Sequence, residues 1–349
     1  MAIALPTLEY LALLSDDTGV IQHAVESIPN RSTGYCTDDI SRAFMVALAY
    51  QRVMPQDALA QRLASTYLSF LQNAQLEDGR FHNFMDYDRT WLDDVGTHDS
   101  CGRAMWSLGY GMRYAGDEAW QRVCARLLER AVTCVEWLEH PRAEAYAMIG
   151  LAHACAVHAE PRARAALRAL GQASVARYER ERADDWEWFE PVMTYDNARL
   201  PEALLRAGKV LGEQRFIDVG LRTLAFYESV TIEGGIYVPI GNDGWYPRGG
   251  ERSRYAQQPL EAVGLVDAEL AAFAALPEAG YLARAELGLA WYHGKNSRGA
   301  VMAANGGCFD GLSEDGVNHN MGAESSLSYL SASFALAAQR GTSLRIATR

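Results

Sequence analysis

The chain has 349 residues, of which 49% are hydrophobic and 22% charged, and its formal net charge is −12 at neutral pH. These values are typical of a globular protein with enough apolar side chains for a large core. The acidic balance and the lack of clustered Lys and Arg exclude a nucleic-acid groove, and no apolar run is long enough to span a bilayer.

Apolar side chains recur at helical spacing along nearly the whole chain. Because sustained strand alternation is missing outside short segments such as residues 235–240, we predict an all-α protein. The predicted helices lie, in chain order, near residues 17–27, 38–51, 56–73, 99–115, 117–139, 142–158, 162–183, 197–211, 214–230, 260–275, 278–293 and 323–339.

These helices alternate between two kinds. One kind, such as residues 145–156, is small and apolar almost all round, which is typical of helices buried on most sides. The other, such as residues 117–139, has a charged face and one apolar stripe. An inner and an outer ring, traversed alternately, predict an (α/α)6 toroid of six helical hairpins. We expect one domain over residues 1–349, with a disordered tail from about residue 340.

The links between helices are short within hairpins and often long between them, at about residues 74–98, 184–196, 231–259 and 294–322. Each long link leads from an outer helix to the start of an inner one, so all of them should emerge at one end of the toroid. Long loops in compact domains are usually functional. We therefore predict a single cleft at the end where the inner helices begin.

Five of the six predicted inner helices begin with a carboxylate, namely Asp39, Asp99, Asp196, Glu261 and Glu324. Helix capping and the positive end of the helix dipole explain each acid taken singly. Their neighbours, however, are rich in aromatic and amide side chains. Because sugar sites combine ring faces, amides and a pair of carboxyls, the pattern favours a carbohydrate cleft.

The candidate catalytic residues are acids of the helix starts and of one loop: Glu190, Asp99, Asp39, Asp196 and Glu324. The candidate substrate-binding residues are aromatic, polar and acidic side chains near the same helix starts: Trp91, His98, Trp188, Tyr195, Trp245, Tyr255, Gln258, Glu261 and His319. Glu190 stands between Trp188 and Pro191, where packing should desolvate it, so we predict it to be the proton donor. Asp99 or Glu324 would then be the base.

We predict neither a metal nor a cofactor. The six cysteines include no C-x-x-C pair, and the acids near residues 310–315 do not match the spacing of a calcium loop. The chain contains no G-x-S-x-G, G-x-G-x-x-G or P-loop motif. The first residues have no basic region before their apolar run and so do not resemble a signal peptide, and we expect a cytoplasmic protein.

Several segments resemble the six-hairpin glycosidase-like superfamily: TDDISRAFMVAL, WLDDVGTHDSCGRAMWSLG, WFEPVMTYDNARLPEALL, YAQQPLEAVGLVDA and NHNMGAESSLSYL. More narrowly, the chain is similar to bacterial members associated with glycosyltransferases and mannoside-processing enzymes. The resemblance implies the toroid fold, an oligosaccharide or small-sugar substrate, inversion as the commoner outcome, and association with a glycosyltransferase. It assigns no catalytic residue.

The leading hypothesis is a glycoside hydrolase, or a closely related glycan-processing enzyme, that uses carboxylates as acid and base. A sugar epimerase or isomerase is the first alternative, and it would favour His98, His293 or His319 as proton-transfer residues. The second alternative is a catalytically silent glycan-binding partner of a glycosyltransferase. Such a protein would keep the aromatic residues but lack a suitable pair of carboxylates.

Overall fold

The computed structural model describes residues 4–158 and 160–347, and these residues form twelve α-helices. In chain order the helices are α1 (Glu9–Leu13), α2 (Thr37–Val53), α3 (Ala58–Ala74), α4 (His98–Tyr114), α5 (Glu118–Ala131), α6 (Pro141–Cys155), α7 (Pro161–Glu181), α8 (Arg199–Leu211), α9 (Gln214–Thr231), α10 (Pro259–Ala275), α11 (Ala279–Tyr292) and α12 (Ala323–Ala347). Short 3₁₀ turns cover Arg31–Thr33 and Val132–Trp137.

The strands of the described residues are all two residues long. They are β1 (Ala24–Val25), β2 (Ile28–Pro29), β3 (Tyr35–Cys36), β4 (Phe84–Met85), β5 (Val192–Met193), β6 (Ile232–Glu233), β7 (Ile236–Tyr237), β8 (Tyr246–Pro247), β9 (Ala303–Ala304), β10 (Gly307–Cys308), β11 (Gly311–Leu312) and β12 (Val317–Asn318). They form six antiparallel pairs, β1–β2, β3–β4, β5–β8, β6–β7, β9–β10 and β11–β12.

The even-numbered helices form a closed inner ring. Each of α2, α4, α6, α8 and α10 packs against the next even-numbered helix, and α12 packs back against α2. Small residues allow this close packing: a Cβ on Gly109 of α4 would lie 2.0 Å from the backbone oxygen of Gly150 in α6. The predicted (α/α)6 toroid is confirmed, and its inner helices begin within two residues of the predicted starts.

Helices α3, α5, α7, α9 and α11 lie outside the ring, each packed against the inner helix that precedes it in the chain. Their amphipathic character is clearest in α5, where only Cys124, Leu127, Leu128 and Ala131 are buried. Acidic N-caps begin several of these helices, as at Asp57, whose side chain accepts a hydrogen bond from the Ala60 N–H at 2.8 Å. The outer ring therefore shields the inner one from solvent.

The predicted helix at 17–27 is wrong. Asp16 and Gly19 close a tight turn there, and Ile21 then pairs with Tyr35 as an isolated bridge. Burial of Val20 and Ile21 in extended conformation produces an apolar spacing that also suits a helix, so the pattern alone was ambiguous. The helix on this side of the ring is instead the short α1.

Two further boundaries differ from expectation. Residues 132–137 of the predicted helix 117–139 form a 3₁₀ turn rather than a continuation of α5. Helix α12 runs to Ala347, so the predicted tail from about residue 340 is helical as far as it is described; residues 348 and 349 lie outside the described residues. Within the described part of the chain, no helix is both long and apolar enough to cross a membrane.

Candidate functional site

The toroid has two ends, which we call mouths. The N-terminal mouth is the end at which the inner helices begin, and it contains residues Thr37, His98, Pro141, Arg199 and Pro259. The C-terminal mouth is the end at which the same helices finish, and the cavity lined by Arg52, Arg113 and Lys209 opens there.

The long links meet at the N-terminal mouth. Strand β3, which leads into α2, pairs with β4 from the link between α3 and α4. Strand β5, from the link before α8, pairs with β8 from the link before α10. Gln257 forms a bridge with Leu312, which joins the links before α10 and α12. These pairings hold the irregular segments of the chain together over one end of the ring.

Arg42, in the second turn of α2, connects three acids of this mouth. Its Nη1 donates to Asp39 Oδ1 at 2.9 Å, and its Nη2 lies 3.0 Å from Asp38 Oδ2 and 2.7 Å from Glu324 Oε2. The Arg42 and Asp39 side chains are each 10% exposed, whereas that of Glu324 is 41% exposed. One buried guanidinium therefore links a buried carboxyl to an accessible one.

Arg103, on α4, continues the network towards α8. Its Nε lies 2.5 Å from Asp38 Oδ1, and its Nη2 lies 3.0 Å from Asp196 Oδ2. The Tyr146 hydroxyl also donates to Asp196 Oδ2 at 2.7 Å, and Arg199 Nε lies 3.2 Å from Asp196 Oδ1. Asp196 thus forms ion pairs with two guanidinium groups and accepts a hydrogen bond from a phenol, although its exposed fraction is only 1%.

The backbone of Asp196 is held in an uncommon conformation, with φ of +45°. Aspartate tolerates this left-handed region better than most residues, yet the conformation still costs free energy. It directs the Asp196 N–H at Glu261 Oε1, to which it donates a hydrogen bond. Glu261 Oε2 also accepts from the Tyr227 hydroxyl at 3.2 Å. The surrounding contacts therefore fix the strained residue.

The acids of the network differ in the pKa values that burial and charge impose. Burial raises the pKa of Asp39 to about 7, because the added repulsion of Asp38 and Glu324 offsets part of the opposing effect of Arg42. Burial, assisted by the charge of Asp196, raises the pKa of Glu261 to about 8. Burial acts in the same direction on Asp196, but Arg199 and Arg103 outweigh it and lower its pKa. Protonated and ionised carboxyls therefore coexist near neutral pH.

Two more predicted acids join the network through Tyr195. The Tyr195 hydroxyl donates to Asp99 Oδ2 at 2.6 Å, and its carbonyl accepts from Arg142 Nε. Arg142 Nη1 in turn donates to Glu190 Oε2 at 2.6 Å. The five predicted helix-start acids and Glu190 are therefore linked at one mouth. Glu190 is a partner of a buried cation, and not a carboxyl desolvated by aromatic rings as the sequence suggested.

The predicted aromatic residues separate into different environments. Trp188 is 0% exposed and stacks on Tyr227, so the expectation that it lines an open cleft is wrong. Trp91 is partly buried and stacks on the ring of His82, with centroids 4.6 Å apart. Trp245 is 37% exposed, and its Nε1 donates to Asn242 Oδ1 at 2.9 Å. Of the three tryptophans, Trp245 is the most accessible to a ligand.

The remaining predicted side chains lie around the rim of this mouth. His98 stacks on Trp137, with centroids 4.1 Å apart, while the exposed His319 packs edge-on against Phe309. Tyr255 and Gln258 are partly buried in the link before α10. His293, which an epimerase reading favours, packs edge-on against Tyr329, and burial lowers its pKa. His98 Nδ1 also accepts a hydrogen bond from the Glu139 N–H at 3.2 Å, whereas the described side-chain contacts of His293 and His319 are with other rings.

Sequence reasoning missed the four buried arginines Arg42, Arg103, Arg142 and Arg199, each at most 9% exposed. The signal was present in the sequence. Each lies within about one turn of the start of an inner helix whose other residues are mostly small or apolar. A cation at such a position must be paired when it is buried, and so it predicts a partner carboxylate.

Three of these arginines also line a small cavity inside the ring. Arg42, Arg103 and Arg199 line this volume of about 30 Å³ together with Met45 and Trp106. Met45 and Trp106 also line a cavity of about 440 Å³ that reaches the C-terminal mouth. The sequence predicted a single cleft at the N-terminal mouth, whereas this larger cavity lies at the opposite end of the ring. Among the described residues, no group of three or more His, Cys, Asp or Glu could hold a metal ion.

A scan against models of protein families found no match, and a search of curated proteins found no significant relative. Solved structures do resemble the chain. The cellobiose 2-epimerase of Bacillus thermoamylovorans has a TM-score of 0.72 and 13% identity over 96% of each chain. A D-mannose isomerase has a TM-score of 0.68 and 13% identity over 94% of each chain. The GH76 α-mannanase of Bacteroides thetaiotaomicron has a TM-score of 0.68 and 10% identity, with 96% of this chain and 95% of that chain covered. At these identities the likeness shows that the chain has the (α/α)6 toroid fold of such enzymes.

Proposed function

We propose that this protein is a glycoside hydrolase whose active site lies at the N-terminal mouth. The observation that carries the proposal is the pair formed by Asp39 and Glu324 on one guanidinium. Asp39 is a buried carboxyl with a pKa of about 7, and Glu324 is an accessible carboxylate that faces the solvent side of Arg42. Glycosidases need such a pair, with one carboxyl protonated and the other ionised.

In this proposal Asp39 replaces Glu190 as the proton donor. Asp39 protonates the glycosidic oxygen as the bond from that oxygen to the anomeric carbon breaks. Glu324 removes a proton from a water molecule whose oxygen forms the new bond to the anomeric carbon. Because both carboxyls contact one small guanidinium fork, their oxygens lie within about 8 Å of each other. Inverting pairs are about 6.5–9.5 Å apart and retaining pairs about 5–5.5 Å, so this upper bound is compatible with either outcome.

The mouth offers further groups for sugar binding. Trp245 presents an accessible ring, and Asp99, Tyr195 and Glu190 supply carboxylate and hydroxyl groups among the residues of the same mouth. Sugars bind to proteins through ring stacking and hydrogen bonds to such groups. The names of the similar structures refer to an epimerase of cellobiose, an isomerase of mannose and an α-mannanase, which is consistent with a saccharide substrate. Cytoplasmic location and association with a glycosyltransferase stay predictions.

A sugar epimerase or isomerase is the second candidate. The observation that favours it is the position of Arg42 between Asp39 and Glu324, where the attacking water of a hydrolase has to fit. An epimerase would move a proton on one monosaccharide and would need no such gap. Asp39 could serve as the proton-transfer group in that reaction, because its pKa is close to neutral pH.

The test compares Asp39→Asn with Glu144→Gln in the full chain. Glu144 is a matched control because it also lies near the start of an inner helix and is also 10% exposed, but it pairs with Arg177 of the outer helix α7. Both variants and the native protein are incubated with panels of oligosaccharides and monosaccharides, and products are analysed. We expect the native protein to release shorter sugars, Asp39→Asn to lose at least about 100-fold in turnover, and Glu144→Gln to change little.

The pH profile gives a second readout of the role of Asp39. If Asp39 is the acid, turnover requires its protonated form and falls as the pH rises through about 7. Circular dichroism establishes that each variant is folded. Conversion of a monosaccharide or an oligosaccharide into an isomer without cleavage would favour the epimerase or isomerase over the hydrolase. Saturable sugar binding without any turnover would support the silent binding partner, and near-native turnover of Asp39→Asn would remove Asp39 from the chemistry.

A further inference from the structure

We propose that the C-terminal mouth is a second binding site, for a small organic molecule that carries a phosphate group. The site is the cavity of about 440 Å³ described above, which is lined by residues from the second halves of all six inner helices. This volume is within the range of about 300–1,000 Å³ that small-ligand pockets occupy. The proposal does not depend on the reaction assigned to the other mouth.

Two arginines share one aromatic ring at the rim of the cavity. The guanidinium carbon of Arg52 lies 4.2 Å from the centroid of Tyr114, and that of Arg113 lies 5.0 Å from the same centroid. Arg52 Nη1 also donates to the Tyr110 hydroxyl at 3.4 Å. Both arginines are exposed, so a ligand can reach them. The ring contacts hold the two guanidinium carbons within about 9 Å of each other before any ligand is bound.

His153 is a buried side chain in the wall of this cavity, and the charged groups that act on it are arginines. It is 3% exposed, and its Nδ1 lies 3.4 Å from Arg113 Nη1. Burial first, and then the charges of Arg206, Arg113 and Arg52, lower its pKa well below the usual value. The imidazole is therefore neutral at physiological pH and can accept a hydrogen bond from Arg113. Three guanidiniums act on this one buried side chain.

The rim cations are not neutralised by carboxylates. Among the residues described, the ion pairs include neither Arg52, Arg113 nor Lys209, and the Lys209 ammonium donates instead to the carbonyl of Ala274. Asp267 also lines the cavity, but its carboxylate binds Arg199 at 2.7 Å. Arg206 is paired with Glu202. The cavity therefore presents an excess of positive charge in a protein whose net charge is −12.

Stabilisation of helix ends explains part of this arrangement. Arg52, Arg113 and Lys209 each lie in the last turn of an inner helix, where a cation interacts favourably with the negative end of the dipole. That interaction needs no cavity and no shared ring. Two arginines on Tyr114 at the edge of a concave, accessible space form instead the geometry of an anion clamp, because guanidinium forks bind phosphate oxygens in pairs.

The lining below the rim indicates what the rest of the ligand is like. The deeper wall is formed mainly by small and apolar side chains, among them Met45, Ala49, Leu205, Leu270 and Ala335. Trp106 and Tyr110 add ring surface. A ligand with its phosphate at the rim would place a compact body with an apolar face, such as one face of a sugar ring, against this wall. The expected ligand is therefore a phosphate monoester, and a sugar phosphate is a suitable probe for it.

The experiment measures binding by calorimetry to the full chain. The probes are a hexose 6-phosphate, inorganic phosphate and the neutral hexose. The variant is the double substitution Arg52→Met and Arg113→Met, which keeps most of the apolar stem of each side chain. The control is Arg122→Met on the outer helix α5, whose side chain is 69% exposed and pairs with Glu118 on the same helix.

We expect the hexose 6-phosphate to bind the native protein more tightly than inorganic phosphate does, and more tightly at low than at high salt. The double variant should bind the ester at least about tenfold more weakly, because both guanidiniums are lost, whereas Arg122→Met should bind it normally. Asp39→Asn should also retain this binding, which separates the site from the N-terminal mouth.

Three results would overturn the proposal. The first is the absence of saturable binding of the ester to the native protein at millimolar concentration. The second is unchanged affinity in the double variant, which would place the anion elsewhere. The third is equal affinity for inorganic phosphate and the ester, which would show that the cavity does not hold the body of the ligand.

Discussion

Acidic side chains lie at the helix starts of one mouth of the toroid and basic side chains at the helix ends of the other, and the two sets differ in their partners. At the N-terminal mouth, acids of the helix starts are bound to arginines that lie one turn deeper, as in the contacts of Arg42 and Arg103. At the C-terminal mouth, Arg52 and Arg113 contact aromatic rings. The acids of the N-terminal mouth are therefore paired with buried arginines, whereas the arginines of the C-terminal mouth are exposed to solvent.

The sign of the charge at each mouth follows from the direction of the inner helices. All six begin at one end and finish at the other, so acids near their starts and bases near their last turns are both favoured by the helix dipoles. The dipoles do not determine whether a charge is paired. That difference depends on burial, because a buried cation needs a carboxylate partner and an exposed one does not. The following predictions test the contrast, from the largest expected effect to the smallest.

Removal of a buried arginine at the N-terminal mouth should have the largest effect. Arg103→Met leaves Asp38 and Asp196 without their shared cation, and Asp196 is almost fully buried. We expect the free energy of unfolding to fall by about 3–5 kcal/mol, measured by denaturant titration. Arg122→Met, which removes an exposed arginine, should change it by no more than about 0.5 kcal/mol. Equal effects of the two substitutions would contradict the distinction between buried and exposed cations.

Glu261→Gln tests whether a buried acid of the same mouth carries a proton. The pKa of Glu261 is raised from 4.5 to about 8, so the folded state retains a proton that the unfolded state releases between these pH values. The stability of the native protein should therefore fall as the pH rises through this window, by up to about 1.4 kcal/mol per pH unit from this group. The variant lacks this loss, so its stability relative to the native protein should increase with pH up to about 8.

For Glu261→Gln, denaturant titrations between pH 5 and pH 9 measure the difference in the free energy of unfolding between the variant and the native protein. A difference that is independent of pH would mean that Glu261 is ionised throughout in the folded state. Tyr227→Phe removes a hydrogen bond to the same carboxyl without removing the acid, and it should leave the pH dependence in place.

Trp245→Ala should weaken sugar binding at the N-terminal mouth while it leaves the fold intact. The indole is 37% exposed, so its loss creates no large cavity in the core. Under the proposed function, we expect KM to rise about tenfold with little change in kcat, because a stacking surface is lost rather than a proton-transfer group. Trp188 is a core residue, and its replacement by Ala should instead destabilise the fold by about 3–5 kcal/mol. A fall in kcat alone for Trp245→Ala would contradict a binding role.

Arg52→Met should have the smallest effect on stability. Its contacts are with the ring of Tyr114 and the hydroxyl of Tyr110, and the side chain is exposed. We expect the free energy of unfolding to change by about 0.5 kcal/mol or less in phosphate-free buffer. Destabilisation as large as that of Arg103→Met would mean that Arg52 is part of the structural framework, and it would remove the contrast between the two mouths.

The sequence by itself determined the fold class, the alternation of inner and outer helices, and the end of the ring at which the acids gather. These properties follow from local patterns, since the spacing of apolar residues marks one face of a helix and the order of helices sets their direction. The segment 17–27 was misread because a short buried stretch of extended chain has an apolar pattern similar to that of a helix. The length and periodicity of residues 17–27 therefore do not distinguish a helix from a buried extended segment.

Only the tertiary structure decided which acid meets which arginine. Arg103 contacts Asp196, which is 93 residues away in the chain, and Glu190 is bound to Arg142 instead of being enclosed by rings. The burial of Trp188 and the cavity at the C-terminal mouth likewise depend on several helices at once. Periodicity describes one helix at a time, whereas ion pairs, burial and cavities are set by the positions of side chains on neighbouring helices.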